Sequence, residues 1–299
     1  MTSVKQIPRG ARYRHVIFNG HRSRRAINLA PVALRSTPTT HGLSSRDTRF
    51  LDWLFDQAGL TASDYRSETL HRRLPACLRA IRATSSTDAR AILEKNPLLI
   101  RRAVGTLVIG VTSFFRDGAV FDHLTYSVLP VLKRAAGRPR IWSAACSDGA
   151  EMYSIAILMA DMGLLKDSYL LGSDCRAEGI ARAREGRYDE RSIREVPAAW
   201  RERYFIKELG QYRICDELRG AVQWRTADVT RVCEPGMWDL ILCRNMSMYL
   251  RPAVAGRLWE ALENALRPGG FLVLGKAERP IGTTGLAAIA PCIYRRNRM

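Results

Sequence analysis

The chain has 299 residues, 46% of them hydrophobic, enough for two domains with a sizeable core and ordinary for a globular protein. No apolar run approaches the roughly 20 residues of a membrane span, and Arg9, Arg12 and Arg14 are not followed by the apolar core and cleavage site of a secretory leader. The net charge of +18 points to an acidic partner: nucleic acid, an anionic membrane surface or an acidic protein segment.

Residues 1–42 open with Lys5, Arg9, Arg12, Arg14, Arg22, Arg24, Arg25 and Arg35 and no acid before residue 41. Pro8, Pro31 and Pro38 interrupt any period, so this reads as a basic, flexible arm. A short strand or helix is conceivable only around 16–19 or 26–34. A solvated tail and a nucleic-acid contact both remain open for it.

Residues 43–110 read as a small helical domain. Ser44 or Ser45 caps a helix carrying Phe50, Leu51, Leu54 and Phe55 on one face, ended by Gly59. A second helix carries Leu70, Leu74, Leu78 and Ile81 and is dense in base: Arg66, Arg72, Arg73, Arg79 and Arg82. Pro75 inside it predicts a kink or a late start. A third helix, Ser86 to Lys95, stops at Asn96-Pro97, and Leu98 to Ile109 forms a fourth. Residues 111–139 then read as a linker. It opens with VTSFFRD, where Phe114 and Phe115 either plug the interdomain seam or close over a ligand.

From residue 140 to 299 strand and helix alternate. Strands are expected at 140–146, 168–173, 221–226, 238–243 and 271–275, and helices at 150–162, 177–185 and 252–266. That pattern is an α/β domain with a mostly parallel sheet and helices on both faces. In the irregular stretch 186–220, Tyr204–Ile206 and Tyr212–Cys215 alternate about Gly210. They predict an inserted antiparallel β-subdomain near 200–220.

Four pieces of this domain carry chemistry. Ile141 to Ser154 is a strand, a small-residue turn at Asp148-Gly149 and a helix, the first unit of a nucleotide-type fold. It is not GxGxxG. The strand 168–174 ends in Asp174, an acid suited to ribose hydroxyls or to capping the next helix. Val222 to Val229 ends at Asp228, which can take the exocyclic amine of adenine or serve as a plain loop acid. The apolar strand 239–243 delivers Arg244-Asn245 to the carboxyl edge, where such polar groups are costly without a polar partner. Together they argue for an adenosine-bearing ligand. No Walker lysine, GxSxG or HExxH is present. Seven scattered cysteines without CxxC spacing and five unclustered histidines predict no metal and reduced thiols, hence a cytoplasmic protein. With those absences, S-adenosylmethionine fits better than ATP or NAD.

Six stretches then resemble the chemotaxis receptor methyltransferase (CheR) family: TSFFRD (112–117), WSAACSDGAEMYSIA (142–156), the strand ending in Asp174 with ARAREGRYD (181–189), RYF (203–205), CRNMSMY (243–249) and LRPGGFLVLGKAE (266–278). With the helical domain they cover about residues 45–280 in order. The resemblance implies an N-terminal all-α domain, a Rossmann-like S-adenosylmethionine-dependent methyltransferase domain and a β-subdomain. Its activity would be glutamate O-methylation of chemoreceptors, leaving S-adenosylhomocysteine. Carried over by position, cofactor contacts fall on Thr112, Arg116, Glu151, Asp174, Asp228, Val229, Arg244 and Asn245, and the residues nearest the methyl on Arg116 and Tyr249. The arginine-rich second helix would face an acidic receptor helix; a monomer is expected, and nucleic acid is not the expected partner. The chain departs from the family at Gly110 (usually Asn), at Asp148 and Ala150 (Thr-Gly-Glu-Glu), at Asp228 (Asn), and at Pro75, Ala76 and Cys77, where arginines are common. A methyltransferase acting on a small metabolite and a non-catalytic cofactor-binding module stay open beside the receptor reading.

Overall fold

In a computed structural model, the described residues are 44–108, 110, 112–135 and 137–298. The basic arm, with its possible short elements at 16–19 and 26–34, lies outside them. Helix α1 (Ser45–Gln57) starts where the sequence marks a cap: Ser44 Oγ accepts from the Asp47 amide at 3.1 Å. Phe50, Leu51, Leu54 and Phe55 are its buried face, and Gly59, at φ 71°, turns the chain out of it. Helix α2 (Ser67–Ala80) starts early and runs through Pro75. Pro75 is exposed while Thr69, Leu70, Leu74 and Cys77 are buried, so the carbonyl freed by the missing N–H lies towards water. Helix α3 (Ser86–Lys95) is capped by Ser85, and α4 (Leu98–Leu107) packs against α2.

Part of the stretch read as a linker is helical. Helix α5 (Gly118–His123) passes through a π-turn at 124–128 into α6 (Leu129–Arg134), burying Val120, Phe121, Leu124, Val128, Leu129 and Leu132. The αβ succession follows: β1 (Arg140–Ala144), α7 (Ala150–Asp161), β2 (Tyr169–Asp174), α8 (Ala177–Glu185), β3 (Arg187–Tyr188), α9 (Ala198–Tyr204), β4 (Phe205–Glu208), β5 (Gln211–Ile214), α10 (Asp216–Ala221), β6 (Val222–Thr226), β7 (Trp238–Cys243), α11 (Pro252–Ala265), β8 (Leu266–Leu274), β9 (Leu286–Ala290) and β10 (Ile293–Arg296).

The main sheet has seven strands in the order β6-β2-β1-β7-β8-β10-β9. The first five are parallel, and β10 and β9 close one edge antiparallel. From β1 the chain builds outward through β2 and β6, then returns to lay β7 on β1's other side. That reversal opens a crevice at the carboxyl ends of β1 and β7, where open α/β sheets bind ligands.

Side chains alternate across the strands and feed two cores. Trp142, Ala144 and Ile241 join α11 and the helices α1–α4 on one face; Ile141, Leu240 and Leu242 join α5, α6 and α7 on the other. The helical region therefore shares a core with one sheet face. A clip fixes its register: Tyr65 pairs with Leu250, the Arg66 amide donates to Tyr249 O, and the Arg251 amide donates to Asp64 O, both at 2.9 Å.

The expected hairpin is present as β4–β5, turning at Leu209-Gly210 with both residues at positive φ (47° and 78°). It gains a third strand, β3. Phe114 and Phe115 belong to its attachment. Phe114 sets its ring edge-on to Tyr188 and Phe205 (4.8 and 5.1 Å), and Phe115 stacks on Trp200 at 5.2 Å. They neither fill the seam with helices α1–α4, whose core lies on the other sheet face, nor line the crevice.

Candidate active site

The crevice is a cavity of about 330 Å³. Thr112, Arg116, Glu151, Asp174, Asp228, Val229, Arg244, Asn245 and Tyr249, the residues singled out from sequence, all line it. They come from five separate segments of the chain, so only the fold brings them together.

The turn after β1 forms the floor. Ala145, Ser147 and Gly149 take positive φ (59°, 59° and 87°). A side chain at Gly149 would run into Trp224 and Ala183. The Cys146 amide donates to Ser173 O at 2.9 Å, which holds the turn against β2. Burial pushes the Asp148 carboxyl above the usual carboxylate range, and its side chain is not among the cavity groups.

Asp174 ends β2 and is 5% exposed. Its Oδ2 accepts from the Ser147 amide at 2.8 Å, and its Oδ1 accepts from the Arg176 amide at 2.9 Å and from Arg176 Nε at 3.0 Å. Asp228 follows β6. One oxygen is committed to its own loop, accepting from the amide (3.0 Å) and hydroxyl (2.8 Å) of Thr230. Cys175, next to Asp174, also lines the cavity; burial, with Asp174 and Asp228 adding to it, raises its pKa.

At the end of β7, Arg244 is 8% exposed and is the hub of the polar network. Its Nη1 donates to Glu151 Oε2 at 3.1 Å, and its Nη2 donates to Asp117 Oδ2 at 2.8 Å and to Arg116 O at 2.9 Å. Ser143 Oγ holds the other Glu151 oxygen at 2.8 Å, and Lys276 Nζ lies 2.7 Å from Asp117 Oδ1. Burial alone would raise the Asp117 pKa, but Lys276 and Arg244 outweigh it and hold the carboxyl below its ordinary range. Two buried atoms here lack partners among the described residues: Arg244 Nε and Asn245 Oδ1.

Sequence reasoning assigned no role to Glu278 or Asp117, and counted Arg73 only as one base among many. Glu278 is 2% exposed and accepts from the amides of Asn245, Met246, Ser247 and Gly275 and from Ser247 Oγ, all at 2.7–2.9 Å. It fixes the loop that presents Asn245, itself at φ 60°. Arg73 reaches in from α2. Its guanidinium lies 4.6 Å over the Tyr249 ring, and its Nη1 donates to Leu107 O at 2.9 Å. Among the described residues no group of His, Cys, Asp and Glu is placed to hold a metal, and no helix is long and apolar enough to cross a membrane.

Residues 110–290 match the family model for the CheR methyltransferase, SAM-binding domain. A chemotaxis protein methyltransferase of Listeria innocua is 30% identical over 240 residues, 79% of this chain and 91% of that protein. Chemotaxis protein methyltransferase 2 of Pseudomonas aeruginosa is 30% identical over 251 residues (81% and 89%). A probable chemotaxis protein methyltransferase of Rhizobium etli is 27% identical over 242 (77% and 90%). The cavity's own chemistry suits S-adenosylmethionine: carboxylates at Glu151, Asp174 and Asp228 for a cation with a ribose and an adenine amine, and two orphaned polar atoms that call for a polar ligand.

Proposed function

The chain belongs to the CheR methyltransferase family and uses S-adenosylmethionine; from that premise we propose that it methylates glutamate side chains on an acidic helix of a chemoreceptor. The observation that carries the reading is that Arg116 and Tyr249 share a single cavity with the acids at 151, 174 and 228. When bound, S-adenosylmethionine supplies an electrophilic methyl group on a sulfonium sulfur. Glu151, Asp174, Asp228, Val229, Thr112, Arg244 and Asn245 are the residues proposed to hold it, with Arg116 at the border between it and the acceptor.

A glutamate side chain, with an unperturbed pKa of about 4.3, is ionised at neutral pH. No residue of the chain has to remove a proton from it. What the site must supply is alignment, and well-placed groups alone lower a barrier substantially. We assign Arg116 to holding the incoming carboxylate and Tyr249 to donating a hydrogen bond to it. Arg73 fixes the Tyr249 ring from above, and the backbone clip at 64–66 with 249–251 fixes its Cα position. Charge is neutralised in the transfer, so a site that excludes water favours it; Glu151, Asp174 and Arg244 are each at most 8% exposed.

One observation favours a second reading, a small-molecule acceptor. Exposed Pro75 and half-buried Ala76 interrupt the basic face of α2 between Arg72 and Arg79, the face proposed to meet the receptor, while Cys77 belongs to the helix's buried face. A single experiment separates the two. The purified protein is incubated with methyl-labelled S-adenosylmethionine and either receptor-bearing membranes or a small-molecule extract. Label on tryptic receptor peptides, released by mild base as expected of an ester, supports the receptor reading. Label confined to extract metabolites refutes it.

A further inference from the structure

We propose that Arg176 is a further cofactor-binding residue, donating to a ribose hydroxyl beside Asp174, and that Gly110 is a glycine because the Arg176 guanidinium occupies the space its side chain would fill. The inference rests on reading the cavity as the cofactor site.

The argument starts from the acceptor count at Asp174. A carboxylate has about four acceptor positions. Three are taken, by the Ser147 amide, the Arg176 amide and Arg176 Nε. One ribose hydroxyl can still donate to Asp174, and the hydroxyl oxygens are themselves acceptors that a neighbouring donor can satisfy. Arg176 also lines the cavity. Its side chain is 11% exposed, and its Nη2 donates to Ser147 Oγ at 3.0 Å. The Ser147 hydroxyl passes the chain of bonds on to Gly110 O at 2.8 Å. Nη1 makes no hydrogen bond among the described residues, leaving one donor nitrogen, with its two N–H groups, beside the acid. A Cβ at residue 110 would fall on this guanidinium, with Nη1 2.7 Å away. Any side chain there must expel Arg176 from its position. The two residues thus form one unit across 66 positions of sequence.

The test is calorimetric binding of S-adenosylhomocysteine and of 5′-methylthioadenosine, which keeps the ribose and lacks the amino acid, to the full chain. Arg176→Ala and Gly110→Asn are each expected to weaken both ligands about tenfold, the scale of one charge-assisted bond. Because Gly110→Asn acts by displacing Arg176, adding it to Arg176→Ala should cost less than about threefold more; such non-additivity marks residues that act together. Fully additive losses overturn the coupling. Undiminished binding by Arg176→Ala overturns the role of Arg176. Loss of S-adenosylhomocysteine but not of methylthioadenosine overturns the ribose contact. If Arg176→Ala does not fold, Gly110→Asn, which keeps the arginine, carries the same comparison. A wild-type chain that binds neither ligand refutes the assignment of the cavity itself, a different failure from any of these.

Discussion

The two walls of the cavity are built on different terms. The sheet wall is dense in bonds: Glu278 accepts from four amides and a hydroxyl, Asp174 accepts three bonds, and Arg244 donates three. The wall from the helical region offers Tyr65, Arg73, Leu107 and Val108, and there Arg73 is held by one hydrogen bond and an aromatic face. A group fixed from several directions keeps its geometry before any ligand arrives, which suits a cofactor common to a whole family. A group held at one point can be exchanged without dismantling its neighbours, which suits an acceptor that varies. The difference is what the proposed function asks for, with the cofactor on the sheet wall and the acceptor at the seam between the walls.

The most damaging way to break that division is Glu278→Ala. It strands four amides in the loops after β7 and β8, at a cost of about 3 kcal/mol or more. Thermal unfolding should fall by on the order of 10 °C, with cofactor binding lost as well. A variant that melts like the parent shows that the sheet wall does not depend on this carboxylate. Next comes Arg116→Ala, on the segment that joins the walls. Turnover should drop about 100-fold, within the range for removing a transition-state contact, while cofactor affinity changes less than about threefold. If affinity vanishes instead, Arg116 belongs to the cofactor wall. Asp174→Ala should weaken cofactor binding at least tenfold, and unchanged calorimetry would remove that acid from the site. Arg73→Ala is the matched change on the helical wall. It should leave cofactor binding alone and raise the acceptor KM about fivefold, roughly the loss of a cation–π contact and one hydrogen bond; a fall in cofactor affinity would erase the distinction between the walls.

Sequence revealed the sheet wall better than the helical one, for a physical reason. Asp174 and Arg244-Asn245 each follow an apolar run, so their position at a strand end is encoded locally. Glu278 also follows a strand, but its function lies in amides of another loop, and no spacing announces that. Arg73 sits in a basic helix, and only docking of that helix against the sheet separates it from Arg72 and Arg79. The helices at 118–134 did leave a trace: Val120, Leu124, Val128 and Leu132 recur every fourth residue. Strands β9 and β10 left less. Leu286–Ala290 is mostly alanine, a poor strand former, and gains its conformation from antiparallel pairing at the sheet edge.

The smallest expected effect concerns Asp117, where the sheet wall meets solvent through Lys276. Its carboxyl is held below the ordinary range by Lys276 and Arg244 against the pull of burial. A depressed folded pKa means that the carboxylate stabilises the protein fully above its unfolded value near 3.8 and stops doing so as pH falls through the folded value. Lys276 is 69% exposed, so screening trims its share, and Asp117→Asn should cost only about 1 kcal/mol at pH 7. That deficit should shrink as pH drops below 3.8, since the parent then loses the same charge. Lys276→Met should remove part of the deficit, and the part it removes should disappear in high salt; the remainder, from buried Arg244, should persist. A deficit that stays constant down to pH 3 would mean that Asp117 acts through its shape at φ 63° and not through its charge, and the link between the buried network and the surface would have to be redrawn.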